Sequence, residues 1–161
     1  MVNRLRRFES IARKAAKLSD RKPVRFEEII HPFDQRNIHP NITKSSQRLF
    51  DDGHYSQSVF EAFKLLDQTV KKLSKISGKT GLDLMMNALN EKSPKIRLTN
   101  LSNDSEIDEQ FGYKFIMAGA MSGIRNPRGH EVGNIDTVEQ CLDYLGFASM
   151  LFRKLNRRVA P

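Results

Sequence analysis

The residues best equipped for chemistry stand together in the segment Gly123-Ile124-Arg125-Asn126-Pro127-Arg128-Gly129-His130-Glu131. Pro127 lacks a backbone N–H and disfavours helical geometry at Asn126, so a helix arriving from the N-terminal side is expected to break or turn near Arg125. Asn126 is a good N-cap and Pro127 a good first helical residue, so a new turn would carry His130 at or near its start. Free backbone donors, the positive end of a helix dipole and the fixed charges of Arg125 and Arg128 then describe an anion site. His130 adds a group that exchanges a proton near neutral pH. The same residues also admit a purely structural account. Arg125 would cap the carbonyl end of its helix, and His130 would bond Glu131 or a backbone group. A loose Arg-to-His spacing also occurs at Arg25 to His31 and at Arg48 to His54, but only the third instance falls at an Asn-Pro break.

Other familiar chemistries lack their residues. His31 and His39 each precede a proline and have no metal-ligand spacing with Cys, Asp or Glu, so they read as turn residues. There is no Gly-rich phosphate loop, His-Glu-x-x-His pair or nucleophile elbow, and neither a metal nor a cofactor is expected. The single cysteine, Cys141, excludes an internal disulfide and a thiolate cluster. It reads as a buried structural thiol, in keeping with a reducing cytoplasm, where the chain is expected to reside.

The elements that must position Arg125 and His130 are helical. Leu5, Phe8, Ile11, Ala15 and Leu18 fall at helical spacing among Arg and Lys, which predicts a basic amphipathic helix. From Pro23 to Pro40 an irregular connector is expected. A short helix over 42–52 should end at Gly53, and Val59, Phe63, Leu66, Val70 and Leu73 mark one long helix over about 55–76, stopped by Gly78. Thr80 should cap a helix covering Leu82, Met85, Met86 and Leu89, followed by a polar loop containing a short extended piece, 96–98. Ser105 and Asp108 mark the start of a helix that places Ile107, Phe111, Phe115, Ala118 and Met121 toward the core. Its small residues, Ala118 to Gly123, predict close packing at the centre of the bundle. Asp136 with Glu139 resembles a capping box for a last helix with Val138, Leu142, Leu145, Ser149 and Phe152 inward. About five or six helices with almost no period-two alternation define an all-α bundle.

At 161 residues with 39% hydrophobic content, the chain has material for one packed core. The organisation expected is a basic helix and connector over 1–37, a helical domain over 38–157 and a basic tail over 158–161. Lys and Arg exceed Asp and Glu by 27 to 19, giving +8, and the excess sits at the two ends, so a polyanion, nucleic acid first, is the natural partner. The uncharged run from Phe115 to Ile124 is too short to span a bilayer, and no membrane role is expected.

The Arg125-to-His130 segment resembles the Arg-x-x-x-x-His motif of the HEPN superfamily, including a polar residue directly after the arginine. In order, the chain also carries Leu49-Phe50-Asp51-Asp52-Gly53-His54-Tyr55, Val59-Phe60-Glu61-Ala62-Phe63-Lys64, Gln110-x-Gly112-Tyr113 and Gly119-Ala120-Met121. This series is similar to the Ymh-type, abortive-infection-like branch of HEPN proteins over roughly residues 38–157. The resemblance implies a HEPN-like bundle that forms a homodimer, so that two Arg/His motifs face one cleft, and in active relatives a metal-independent endoribonuclease. It carries Arg125 and His130 over as the catalytic pair and Asn126 as the polar position. Glu61, Tyr55 and His54 match recurrent positions and, with Arg128, are expected as RNA-binding or auxiliary residues. Gly129 stands where alanine, a better helix former, is expected.

RNA supplies its own nucleophile, the 2′-hydroxyl, so these residues suffice without a metal if one imidazole accepts its proton, a second donates to the leaving oxygen and a guanidinium holds the phosphate. A toxin–antitoxin or phage-defence role, with an antitoxin or other defence protein as partner, is expected by analogy. Two further readings remain: a module that binds nucleic acid or a nucleotide without cutting, and a structural helical adaptor.

Overall fold

The computed structural model describes residues 2–18, 30–130 and 135–159, apart from the side chains of residues 2–4, 16–18 and 130. Residues 23–29 of the expected connector and the last two of the basic tail lie outside the described residues. The chain divides into two compact units, 1–30 and 31–161. In the first, α1 (Val2–Leu18) is the basic amphipathic helix, with Leu5, Phe8 and Ile11 exposed.

The second unit is an all-helical bundle, with no strand among the described residues. It comprises α2 (Pro32–Gln35), α3 (Pro40–Asp51), α4 (Tyr55–Ser74), α5 (Gly81–Ala88), α6 (Asp104–Ala120), a π-helical turn over Met121–Arg125, α7 (Asn126–His130) and α8 (Val138–Asn156). The short α2 and α7 add to the helices that periodicity predicts. Among the described residues no helix is long and apolar enough to cross a membrane.

The bundle begins before residue 38. His31 and His39 are N-caps: the Nδ1 of each accepts a backbone N–H two residues on, from Phe33 and Asn41, and each is followed by proline in the first helical position. Phe33, in the stretch that reads as connector, is buried beside Phe50. The long stripe on α4 behaves as its spacing predicts, with Val59, Phe63, Leu66 and Val70 all fully buried. The helix stops three residues before Gly78, at Lys75, which takes the left-handed conformation with φ 56°. Thr80 occupies the N-cap of α5 without a side-chain bond. Asp67 of α4 does that work, accepting the Gly81 N–H at 2.6 Å, and Gly81 has φ +58°, a conformation suited to glycine. The capping box of α8 is formed by Thr137 and Gln140, one residue later than expected.

α6 departs furthest from expectation. It starts at Asn103, whose side chain accepts the Glu106 N–H, and of the stripe that reads as its core face Ala118 and Met121 are buried while Ile107, Phe111 and Phe115 point outward. Phe111 and Phe115 are 45% and 49% exposed, and Ile107 and Ile116 are exposed too. The inward face instead carries Gln110, Lys114, Met117 and Ala118. The polar pair faces in because the loop after α5 needs partners. Gln110 accepts the Leu98 N–H at 2.8 Å and donates to the Leu89 and Ile96 carbonyls at 3.0 Å. Lys114 reaches Glu91 at 2.6 Å, and this hydrogen bond holds the Glu91 carboxyl below its ordinary pKa. The 96–98 piece forms no strand; Ile96 and Leu98 are buried with their backbone held by Gln110. The central helix is α4, which packs against α3, α5, α7, α8 and the π turn.

Replacing Gln110 with Leu leaves one buried donor and two buried acceptors unpaired. The expected loss is about 2–4 kcal/mol of unfolding free energy, read from the shift in denaturation midpoint.

Candidate functional site

The path from α6 to His130 is set by Pro127. In an unbroken α-helix its missing N–H would leave the Gly123 carbonyl without its donor, and its ring would press on that turn. The chain neither breaks nor starts a fresh helix there. It widens instead, with the Asn126 N–H donating to the Met121 carbonyl, five residues back, while Asn126 keeps right-handed helical angles of φ −65° and ψ −44°. Asn126 is therefore not an N-cap, and no helix N-terminus points at an anion here. The Asn126 side chain takes another task, its Oδ1 accepting from Nη1 of Arg125 at 3.1 Å.

Arg125 is half-buried, with its guanidinium 5.3 Å from the centre of the Phe60 ring on α4. It makes no ion pair among the described residues, and its Nε is buried without a hydrogen-bond partner. Gly129 explains itself here: a Cβ at this position would meet Cε2 of Phe60 at 2.7 Å, so glycine lets α7 lie against the ring that carries Arg125. His130 closes α7 on the same helical run; its side chain lies outside the described residues.

Arg128 is committed elsewhere. Its Nε and Nη2 grip the two carboxylate oxygens of Asp136 at 2.7 and 2.5 Å, its Nη1 donates to the Ile124 carbonyl, and its guanidinium lies 4.2 Å from the Tyr144 ring centre. Both partners of the pair are almost wholly buried. Burial works against its charge, but the hydrogen bond and charge of Asp136 more than offset this, so the Arg128 pKa is raised above its ordinary value. Asp136 also donates its N–H to Ser56 Oγ at 2.8 Å, which ties this clasp to the first turn of α4. Arg128 thus fixes the end of the helix.

An open depression of about 410 Å³ lies against the clasp, lined among others by His54, Tyr55, Ser56 and Arg128. His54 is exposed, in the N-cap position of α4 with no capping bond from its side chain. Tyr55 is half-buried against Phe50, and its carbonyl lies 3.5 Å from the Cys141 thiol. Glu61 follows Phe60, where it accepts from Gln57 and Lys64. The fold therefore sets Arg125, bonded to Asn126, over Phe60, with Glu61 next to that ring in sequence, and places His54, Tyr55 and Arg128 around the depression. Phe60 and Asp136 complete the arrangement, and the sequence announces neither role. The signal for Phe60 is an aromatic residue set off the apolar stripe of α4; Asp136 is disguised as part of a capping box. Among the described residues no three His, Cys, Asp or Glu side chains gather as a metal site.

The architecture is that of an all-helical bundle with one arginine tied down and its neighbour held but, among the described residues, without an ion pair. Residues 36–155, roughly three quarters of the chain, match the family described as Hypoth_ymh, a protein of unknown function, and the chain belongs to that family. No curated protein and no solved structure matches it.

Two measurements probe this geometry. Asp136→Asn removes the charge from a buried pair and is expected to cost about 3–5 kcal/mol of stability, seen as a lower denaturation midpoint. Burial pushes the Cys141 thiol up to about 11, so at pH 8 a thiol reagent should label it only as fast as the fold opens, and labelling should accelerate sharply in denaturant.

Proposed function

We propose that the chain is a metal-independent endoribonuclease of the HEPN type, active as a homodimer in the cytoplasm. What supports the reading above all is Arg125: its guanidinium is braced by Asn126 and Phe60, yet makes no carboxylate pair among the described residues. An arginine in that state is prepared for a phosphate.

In the reaction, Arg125 holds the non-bridging oxygens of the scissile phosphate. A neutral His130 from one subunit takes the 2′-hydroxyl proton as O2′ bonds to phosphorus. A protonated His130 from the other gives its proton to the departing 5′-oxygen as the P–O5′ bond breaks. The products are a 2′,3′-cyclic phosphate and a 5′-hydroxyl. Asn126 and Phe60 position Arg125, and Arg128 with Asp136 holds the helix end. The depression beside His54 and Tyr55 gives room for the flanking RNA, and Glu61 orders Lys64 beside Phe60. By the same reading the chain acts as a toxin or phage-defence effector restrained by an antitoxin or another protein of the system.

The test is to incubate the purified protein with RNA in EDTA beside His130→Ala and Arg125→Ala. Cleavage should persist without metal, leave cyclic phosphate ends, and fall by about 10²–10⁴-fold in His130→Ala while the helical circular dichroism is unchanged. Full activity in the variant overturns the assignment. Salt-sensitive binding without products would instead favour the non-catalytic module.

A further inference from the structure

We propose that a groove at the end of the bundle remote from Arg125 is a second phosphate site, which grips the backbone of a single-stranded nucleic acid through Lys95, Arg97 and Arg158. That the strand is RNA rests on the ribonuclease reading above; the groove and its charge do not.

The groove has a volume of about 280 Å³ and runs between the last turn of α4, the loop after α5 and the chain beyond α8. Leu73, Pro94, Ile96 and Val159 form its aliphatic walls, and the charged residues lining it, Lys95, Arg97 and Arg158, are all cations. Its shape is fixed by the backbone. The Lys95 and Ile96 N–H groups both donate to the Ala88 carbonyl, at 3.0 and 2.9 Å, and the Val159 N–H donates to the Arg97 carbonyl at 2.9 Å. Gln110 holds the same loop through the Ile96 carbonyl and the Leu98 N–H. Ile96 and Leu98 are buried, so Lys95 and Arg97, which alternate with them, are left exposed. The inward polar face of α6 thus pins a loop that presents two cations.

Those cations meet no acid of their own. Over residues 71–97 the acids are Asp83 and Glu91, and each is already paired, with Lys79 and Lys114. Arg158 has a structural task in part, donating one N–H to the Leu155 carbonyl at 3.2 Å near the negative end of α8. Lys95 and Arg97 lie in a loop with no helix end to serve, and neither makes an ion pair among the described residues. Like charges brought together without a counter-charge repel, so their convergence points to an anion from outside the chain.

The class of anion follows from what the lining omits. It has no aromatic, carboxylate or carboxamide side chain, so nothing there stacks on a base or reads its edge. Fixed positive charge over an aliphatic floor is the chemistry of sequence-blind backbone contact. The volume takes part of one strand and is too small for a duplex. Leu73 follows Phe60 by thirteen residues on one continuous helix, which places the groove about 20 Å along α4 from the ring beneath Arg125. The two sites are separate, and only a strand long enough to span them engages both.

The test is a titration of the full chain with a labelled single-stranded DNA oligonucleotide over a range of salt, with RNA cleavage measured on the same samples. DNA lacks the 2′-hydroxyl and is not cut by the mechanism above, so binding is read apart from cleavage. In Lys95→Gln/Arg97→Gln/Arg158→Gln the slope of log affinity against log salt should shrink by about 2, and affinity at about 0.1 M salt should fall by about 100-fold, at unchanged helical content. Lys95→Gln/Arg97→Gln, which leaves the bond to Leu155 intact, should show about two-thirds of that change in slope. Lys44→Gln/Arg48→Gln removes exposed cations of α3 that lie beside Asp51 and Asp52, and should leave the slope unaltered. A triple variant with the wild-type slope overturns the proposal, as does an α3 variant that loses as much as the Lys95/Arg97 pair, since binding would then follow net charge alone. Loss of nucleoside monophosphate binding with strand binding intact also overturns it, leaving a pocket for a small molecule. Strand binding weakened as expected, by a wild type that cleaves no RNA, upholds the groove and overturns the ribonuclease reading.

Discussion

The missing N–H of Pro127 is the constraint around which this site is arranged. A helix interrupted by proline ordinarily ends or kinks, and either outcome would separate Arg125 from Arg128 and His130. Here the turn widens by one residue, Asn126 donates to the Met121 carbonyl, and the chain stays helical through His130. Three consequences depend on that continuity. Arg125 comes to rest over Phe60, Arg128 meets Asp136, and Gly129 passes against the same ring that supports Arg125.

Two arginines three residues apart meet opposite fates for reasons that electrostatics makes plain. Arg128 is almost wholly enclosed, and a charge so placed persists only when a carboxylate and further acceptors satisfy it. Asp136, the Ile124 carbonyl and the Tyr144 ring supply them. Arg125 lies nearer the surface, bonded among the described residues by the neutral amide of Asn126 and supported by an aromatic face. Its charge is positioned but meets no carboxylate among the described residues.

Much of the bundle was legible from residue spacing. The α4 stripe is buried as its four-three rhythm requires and Cys141 is inside, whereas Pro32 and Pro40, which read as parts of an irregular connector, open helices. The failures share a cause. On α6, Gln110 and Lys114 face inward because loop carbonyls, a loop N–H and Glu91 wait for them, and no hydrophobic pattern encodes a partner 12 to 23 residues away. Asp136 was equally opaque: beside Thr137 it looks like a cap, and only the folded chain shows that its carboxylate serves Arg128. At the site, residue types near Arg125 could be named from sequence, but the geometry that holds them depends on Phe60, whose importance lies in being out of step with its own helix.

The widened turn also has a bearing on how this segment can vary. A π turn amounts to one residue accommodated inside a continuous helix, and each helical residue rotates the chain by about 100°. The register of α6 and that of α7 are therefore offset, and the five residues between them act as a phase shifter. Lengthening or shortening that stretch by a single residue would swing Arg125 and Arg128 around the axis together, away from Phe60 and Asp136, so substitution is far better tolerated there than any change in length.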